Sequence, residues 1–92
     1  MPFTLVDVVK IADVDKAREG LLSQVIPSVK QAPGFVHGTW SADRDAGRGI
    51  GFLVFDTREN AAAAKTFIET QAPFPEGVTL ESATIYEVQG EA

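Results

Sequence analysis

The chain contains no cysteine. Disulfides, thiolate nucleophiles and cysteine-ligated zinc or iron–sulfur centres are therefore excluded. It contains one histidine, His37, which is too few for an ordinary zinc or non-haem iron site, so no metal is expected. Positive charge is scarce as well. Eight lysines and arginines stand against 13 acidic residues, for a formal charge of −5, a balance that repels phosphate backbones and anionic membrane surfaces. No apolar run approaches membrane-spanning length. The opening Met1-Pro2-Phe3 leads into a strand pattern carrying Asp7 and not into a signal-peptide core. A cytoplasmic protein that binds neither nucleic acid nor membrane is the expectation.

What is present reads as one domain over residues 1–92. At this length folding hides only roughly 60–65% of the surface of the unfolded chain, so a partner copy would add to a thin core. Phe3 to Val9 is short, apolar and β-branched, the pattern of a strand, interrupted by Asp7. From Asp13, the expected N-cap, Val14, Ala17, Leu21, Val25, Val29 and Ala32 recur at three- and four-residue steps and predict a helix. Gly20 weakens that helix and Pro27 predicts a kink or break in it. Pro33-Gly34 ends it. Phe35 to Ala42 and Gly49 to Phe55 are predicted strands joined by the polar turn 43–47. Asp56 and Glu59 resemble a capping box for a second helix, whose buried stripe is Ala61, Ala64, Phe67, Ile68 and Ala72. The loop Pro73-Phe74-Pro75-Glu76-Gly77 follows, and Val78 to Val88 is the last strand. The order βαββαβ predicts an α+β, ferredoxin-like fold: an antiparallel four-stranded sheet with two helices on one face.

Two helices cover only one side of such a sheet. If the hairpin turns about Ala46, residues of equal parity in its strands share a face, and both sets are apolar. The odd set, with Phe35, Leu53 and Phe55, is assigned to the helices. The even set of Val36, Trp40, Ile50, Phe52 and Val54 is then an open apolar face of a kind that soluble monomers rarely leave bare, so a homodimer through that face is expected.

Ala32-Pro33-Gly34-Phe35-Val36-His37-Gly38-Thr39-Trp40, the hairpin after it, and Leu53-Val54-Phe55-Asp56-Thr57-Arg58-Glu59-Asn60-Ala61 together resemble the dimeric α/β-barrel superfamily, especially small antibiotic-biosynthesis-monooxygenase-like domains. The resemblance spans nearly the whole chain. It implies two sheets closing into a barrel, a ligand pocket between sheet and helices in each subunit, and activities that include cofactor-independent oxygenation of aromatic polyketides, quinol oxidation, haem breakdown and lactone isomerisation. Fold alone does not choose among them. The haem-degrading members use an Asn, a Trp and a His. Here Asp7 stands in place of the Asn and Phe55 in place of the Trp, and no His lies near the end of the second helix, so haem degradation is not expected. Arg48-Gly49-Ile50-Gly51-Phe52-Leu53-Val54-Phe55 also resembles the signature octapeptide of the RNA-recognition motif. That motif stacks bases on several aromatics, of which only Phe52 is present, and the charge is of the wrong sign.

Two side chains are candidates for chemistry. Asp7, in an apolar strand, would have its pKa raised by burial and could serve as a base, or it could lie at a wet edge or pair with a cation. His37 could accept a proton, or be a hydrogen-bonded strand histidine. The strand order places the first strand beside the third, so the two need not touch. Phe35, Thr39 and Phe55 are expected as pocket walls, with Tyr86 as a hydroxyl donor or packing residue. Asp43-Arg44-Asp45 lacks the closing glutamate of a calcium loop, and Gly47, Gly49 and Gly51 lead into a strand without completing a dinucleotide loop. Two functional readings lead, with an RNA-recognition-motif-like RNA binder ranked third. One is a cofactor-independent monooxygenase-like enzyme acting on a small aromatic or polyketide-like molecule, with Asp7 or His37 taking the proton; the other is a non-catalytic ligand-binding or structural homodimer.

Overall fold

The structure, a computed structural model, describes residues 1–72 and 74–92; Pro73, expected in the second loop, lies outside the described residues. The strands are β1 (Phe3–Ile11), β2 (Phe35–Asp43), β3 (Arg48–Phe55) and β4 (Val78–Glu87). They form one antiparallel sheet in the order β2-β3-β1-β4. The helical segments α1 (Val14–Gly20) and α2 (Ile26–Val29), joined by a π-helical stretch (Leu21–Val25), precede the hairpin, and α3 (Arg58–Thr70) follows it. This is the ferredoxin-like α+β fold that the element order predicts.

Strand alternation decides what is buried. In β1 the odd residues Phe3, Leu5, Asp7 and Val9 are buried and their even neighbours are only partly so, the pattern of a strand with one covered face. Phe3, Leu5, Leu53, Phe55 and Ala61 make the central core. Phe55 and Phe35 meet edge to face, with ring centroids 5.8 Å apart, an arrangement in which the ring edge of one meets the electron-rich face of the other.

The helices show why local signals need their neighbours. Asp13 caps α1 as expected, accepting from the Lys16 amide at 3.2 Å. Pro27 has no amide hydrogen and its ring crowds the carbonyl four residues back. The chain answers by widening the preceding turn: the Ile26 amide bonds to the Leu21 carbonyl, five residues back, so the predicted break is a π-bulge and the helix continues to Val29. The cap of α3 is Thr57, whose hydroxyl accepts from the Asn60 amide at 3.1 Å, in place of the expected Asp56. Asp56 instead accepts from Asn60 Nδ2 at 2.8 Å. Phe67, expected in the buried stripe of α3, is 41% exposed.

The hairpin brings the main correction. Asp43 pairs with Arg48, which leaves a four-residue loop that Gly47 closes at φ 66°, a left-handed value that glycine adopts without strain. Asp43 Oδ1 accepts from the amides of Asp45 and Ala46, both at 3.1 Å. With an even number of loop residues, facing positions have opposite parity: Trp40 pairs with Gly51, Thr39 with Phe52 and Gly38 with Leu53. Trp40 therefore lies on the helix side, packed against the core, and not on the open face. At the start of β2 a bulge restores the original parity, because Phe35 pairs with Phe55 and His37 with Val54, leaving Val36 as the extra, exposed residue.

The open face therefore reads in rows across β4, β1, β3 and β2: Tyr86-Thr4-Val54-His37, Thr84-Val6-Phe52-Thr39, and Ser82-Val8-Ile50-Ser41. Its centre is apolar and its flanks are polar. Among the described residues no helix is long and apolar enough to cross a membrane.

Candidate functional site

Helix α3 packs along β1, β3 and β4, whereas the first helical segment makes fewer approaches to the strands. Between that segment and the sheet lies a cavity of about 1100 Å³. The first segment is tied down at its N-terminal half. Arg44 of the hairpin reaches Asp15 at 2.9 Å and Lys16 reaches Glu76 at 3.2 Å; the Arg44 guanidinium holds the Asp15 carboxyl below its ordinary range. Gly20 lies so close to Pro75 that an added Cβ would sit 2.7 Å from the proline ring, so the glycine that weakens the helix is what lets it approach the loop before β4.

The cavity is apolar and mostly aliphatic, with Leu21, Val25 and Ile26 of the first helical segment on its walls and the rings of Phe35, Trp40, Phe55, Phe67 and Phe74 among them. Asp7 is the one buried charged residue of the described chain, 8% exposed, and it lines this cavity. Among the described residues no salt bridge reaches it. Burial pushes its carboxyl up from 3.8 to about 6, while a backbone hydrogen bond from Gly51 pulls part of the way back. Desolvation disfavours the charged form, and with no cation nearby the penalty stands. A carboxylate so placed changes protonation state close to neutrality, as a proton acceptor must.

The remaining expected site residues divide between the two sides of the sheet. Phe35 and Phe55 are on the cavity side, Phe55 fully buried beneath it. His37 and Thr39 border the cavity because β2 forms its rim. Their side chains alternate with those of Gly38 and Trp40, however, and so point to the open face. Tyr86 is opposite Thr4 on the open face and 56% exposed. Asp7 and His37 are thus on opposite faces, and the structure does not bring them together. The physical cause is the hairpin loop length, which exchanges the faces of His37 and Trp40 relative to a turn centred on Ala46. Trp40 and Gly51 are the site residues that equal-parity reasoning missed. A Gly-x-Gly run inside a strand, as at Gly49 and Gly51, was the available signal, since glycine there marks close approach by a neighbour. Among the described residues no group of three histidine, aspartate or glutamate side chains is placed to hold a metal ion.

The sequence matches no known protein-family profile and no curated protein at a significant level. Its fold is found in a solved structure. The crystal structure of a variant of SnoaB, a cofactor-independent oxygenase from Streptomyces nogalater, superposes with a TM-score of 0.71 over 98% of this chain and 95% of that one, at 17% sequence identity. The two chains share the ferredoxin-like α+β fold. At that identity the likeness speaks for architecture, and the chemistry has to come from the residues of the site.

Proposed function

We propose that this chain is a cofactor-independent monooxygenase-like enzyme that takes a small, planar, largely apolar molecule into the cavity and ionises it with Asp7. The observation that carries the reading is the Asp7 carboxyl, without a salt-bridge partner among the described residues and raised to about 6, at the wall of an apolar cavity that includes the ring of Trp40. The carboxylate accepts a proton from an acidic C–H or O–H of the substrate. The resulting anion is the electron-rich form that dioxygen oxidises: one oxygen atom replaces two hydrogens of the substrate carbon as a carbonyl, and the other leaves with those two hydrogens as water, Asp7 returning the proton it took. Burial raises the affinity of this carboxylate for a proton above that of an ordinary aspartate, which favours the transfer. The fold likeness to an oxygenase from Streptomyces nogalater supports the reaction class.

The working unit is a homodimer formed through the open face. Val6, Val8, Ile50 and Phe52 form its apolar centre, with Phe52 44% exposed in the single chain. Burying such side chains contributes roughly 1.5–3 kcal/mol each, before the costs of association. A second reading, a non-catalytic ligand-binding dimer, is favoured by one observation: with the His37 side chain on the other face, Asp7 is the one buried ionisable group at the cavity.

Oxygen uptake with anthrone- and quinol-type compounds separates the two readings. Turnover that disappears in Asp7→Asn is the expected result. Binding without oxygen consumption across the panel would leave only the ligand-binding dimer.

A further inference from the structure

Three glycines of the hairpin face the cavity side, and the neighbours that a Cβ would meet differ among them. At Gly38 it would meet the Trp40 ring, at 3.0 and 3.2 Å, and at Gly49 the apolar tips of Ile11 (2.7 Å) and Val9 (3.1 Å). At Gly51 the atoms met are the carboxylate oxygens of Asp7, at 2.6 and 3.0 Å. The Asp7 carboxylate thus lies across β3, in the space a side chain at residue 51 would fill. Gly51 is paired with Asp7 on one side and Trp40 on the other, so leaning over it carries the carboxylate away from its own strand and toward the strand of Trp40. Neighbouring strands are about 4.8 Å apart, and β3 carries no side chain at residue 51 to stand between the carboxylate and the strand of Trp40, whose indole lies over Gly38.

We propose that Gly51 is the positioning residue of the site: it lays the Asp7 carboxylate across β3, so that a planar group stacked on Trp40 presents its acidic hydrogen to that carboxylate. This rests on the reading of Asp7 as the proton acceptor and adds to it what decides which atom reacts and which ligand shapes enter. A flat ring can lie face to face on the indole with an edge hydrogen turned toward the carboxylate, whereas a puckered ring of the same carbon skeleton cannot stack. The same close approach explains why the strand carries a glycine here. A side chain at residue 51 would meet a carboxylate held by burial, and only displacement of Asp7 would relieve the overlap.

The test uses 1-naphthol as the planar probe and decahydro-1-naphthol as its saturated counterpart, with the fluorescence of Trp40, the single tryptophan, as the readout. Wild-type protein is expected to bind 1-naphthol with quenching of Trp40 and at least about tenfold more tightly than the saturated alcohol, a difference of the size set by about 1.4 kcal/mol. Gly51→Ala is expected to weaken 1-naphthol binding at least about tenfold and to move the NMR titration midpoint of Asp7 by about half a pH unit or more. Gly49→Ala, whose methyl would meet Ile11 and Val9 and not Asp7, should leave that midpoint in place. Equal affinity of the two alcohols for the wild type, or an unmoved Asp7 midpoint in a folded Gly51→Ala, would overturn the assignment while leaving Asp7 as a candidate base. If Gly51→Ala does not fold, the comparison of the two alcohols on wild-type protein decides alone. Failure of either alcohol and of every anthrone or quinol to bind the wild type would instead remove the reading beneath it, and this one with it.

Discussion

Replacing Asp7 by asparagine removes a charge that the fold holds at a cost. The carboxyl titrates at about 6 in the folded chain, against 3.8 for an unperturbed aspartate, and that difference corresponds to about 3 kcal/mol of proton-binding free energy. The sign follows from linkage. The folded state binds the proton more tightly than the unfolded state, so the contribution of Asp7 to stability is most favourable below about pH 4, and it is lost as the pH rises through about 6. Asparagine has nearly the same shape and no charge to desolvate. Asp7→Asn should therefore match the wild type near pH 4 and exceed it at pH 8 by up to about 3 kcal/mol, which for a domain of this size raises Tm on the order of 10 °C. Urea or thermal unfolding of both proteins from pH 4 to pH 8 measures the difference and cancels the titration of every other group. The same substitution should abolish turnover, because an amide cannot accept the proton. A variant that is more stable and inactive is the signature of a functional group held against the preference of the fold. Parallel stability curves across the range would refute the reasoning.

Other substitutions address other parts of the account. Thr57→Ala, which removes the oxygen that accepts from the Asn60 amide, should lower stability by about 1 kcal/mol in a denaturant titration without changing ligand affinity. Phe52→Glu places a charge at the centre of the open face and should convert a dimer to a monomer in analytical ultracentrifugation; an unchanged mass would contradict that interface. His37→Gln, on the face away from the cavity, should leave the affinity for a cavity ligand within about twofold, and a loss of about tenfold or more would return His37 to the site.

The fold could be read from the sequence because its signals are local. The apolar β-branched run before Asp7, the three- and four-residue recurrence after Asp13 and the polar turn at 43–47 each specify an element without reference to distant parts of the chain, and their order specifies the sheet. The faces could not be read in the same way. One residue in the length of the hairpin loop exchanges the two sides of β2, which moves Trp40 from the open face to the cavity wall and His37 in the opposite direction. The bulge at Val36 then returns Phe35 to the core side, a shift with no clear local signal. Helix breakers were legible as positions but not as outcomes: Pro27 widens one turn into a π-bulge, and Gly20 serves as a contact for Pro75. Asp7 was legible as a charge in an apolar strand. Its setting was not, because the space it occupies belongs to Gly51, 44 residues away, and only the register of β1 against β3 joins them.

The titration of Asp7 itself tests the central claim most directly. The carboxyl carbon of Asp7, followed by NMR between pH 3 and pH 9, is expected to give a midpoint close to 6 and to shift when a planar ligand fills the cavity. A midpoint near 4 that no ligand moves would mean that the carboxyl is solvated or paired and lies outside any site, and the functional account would fall with it.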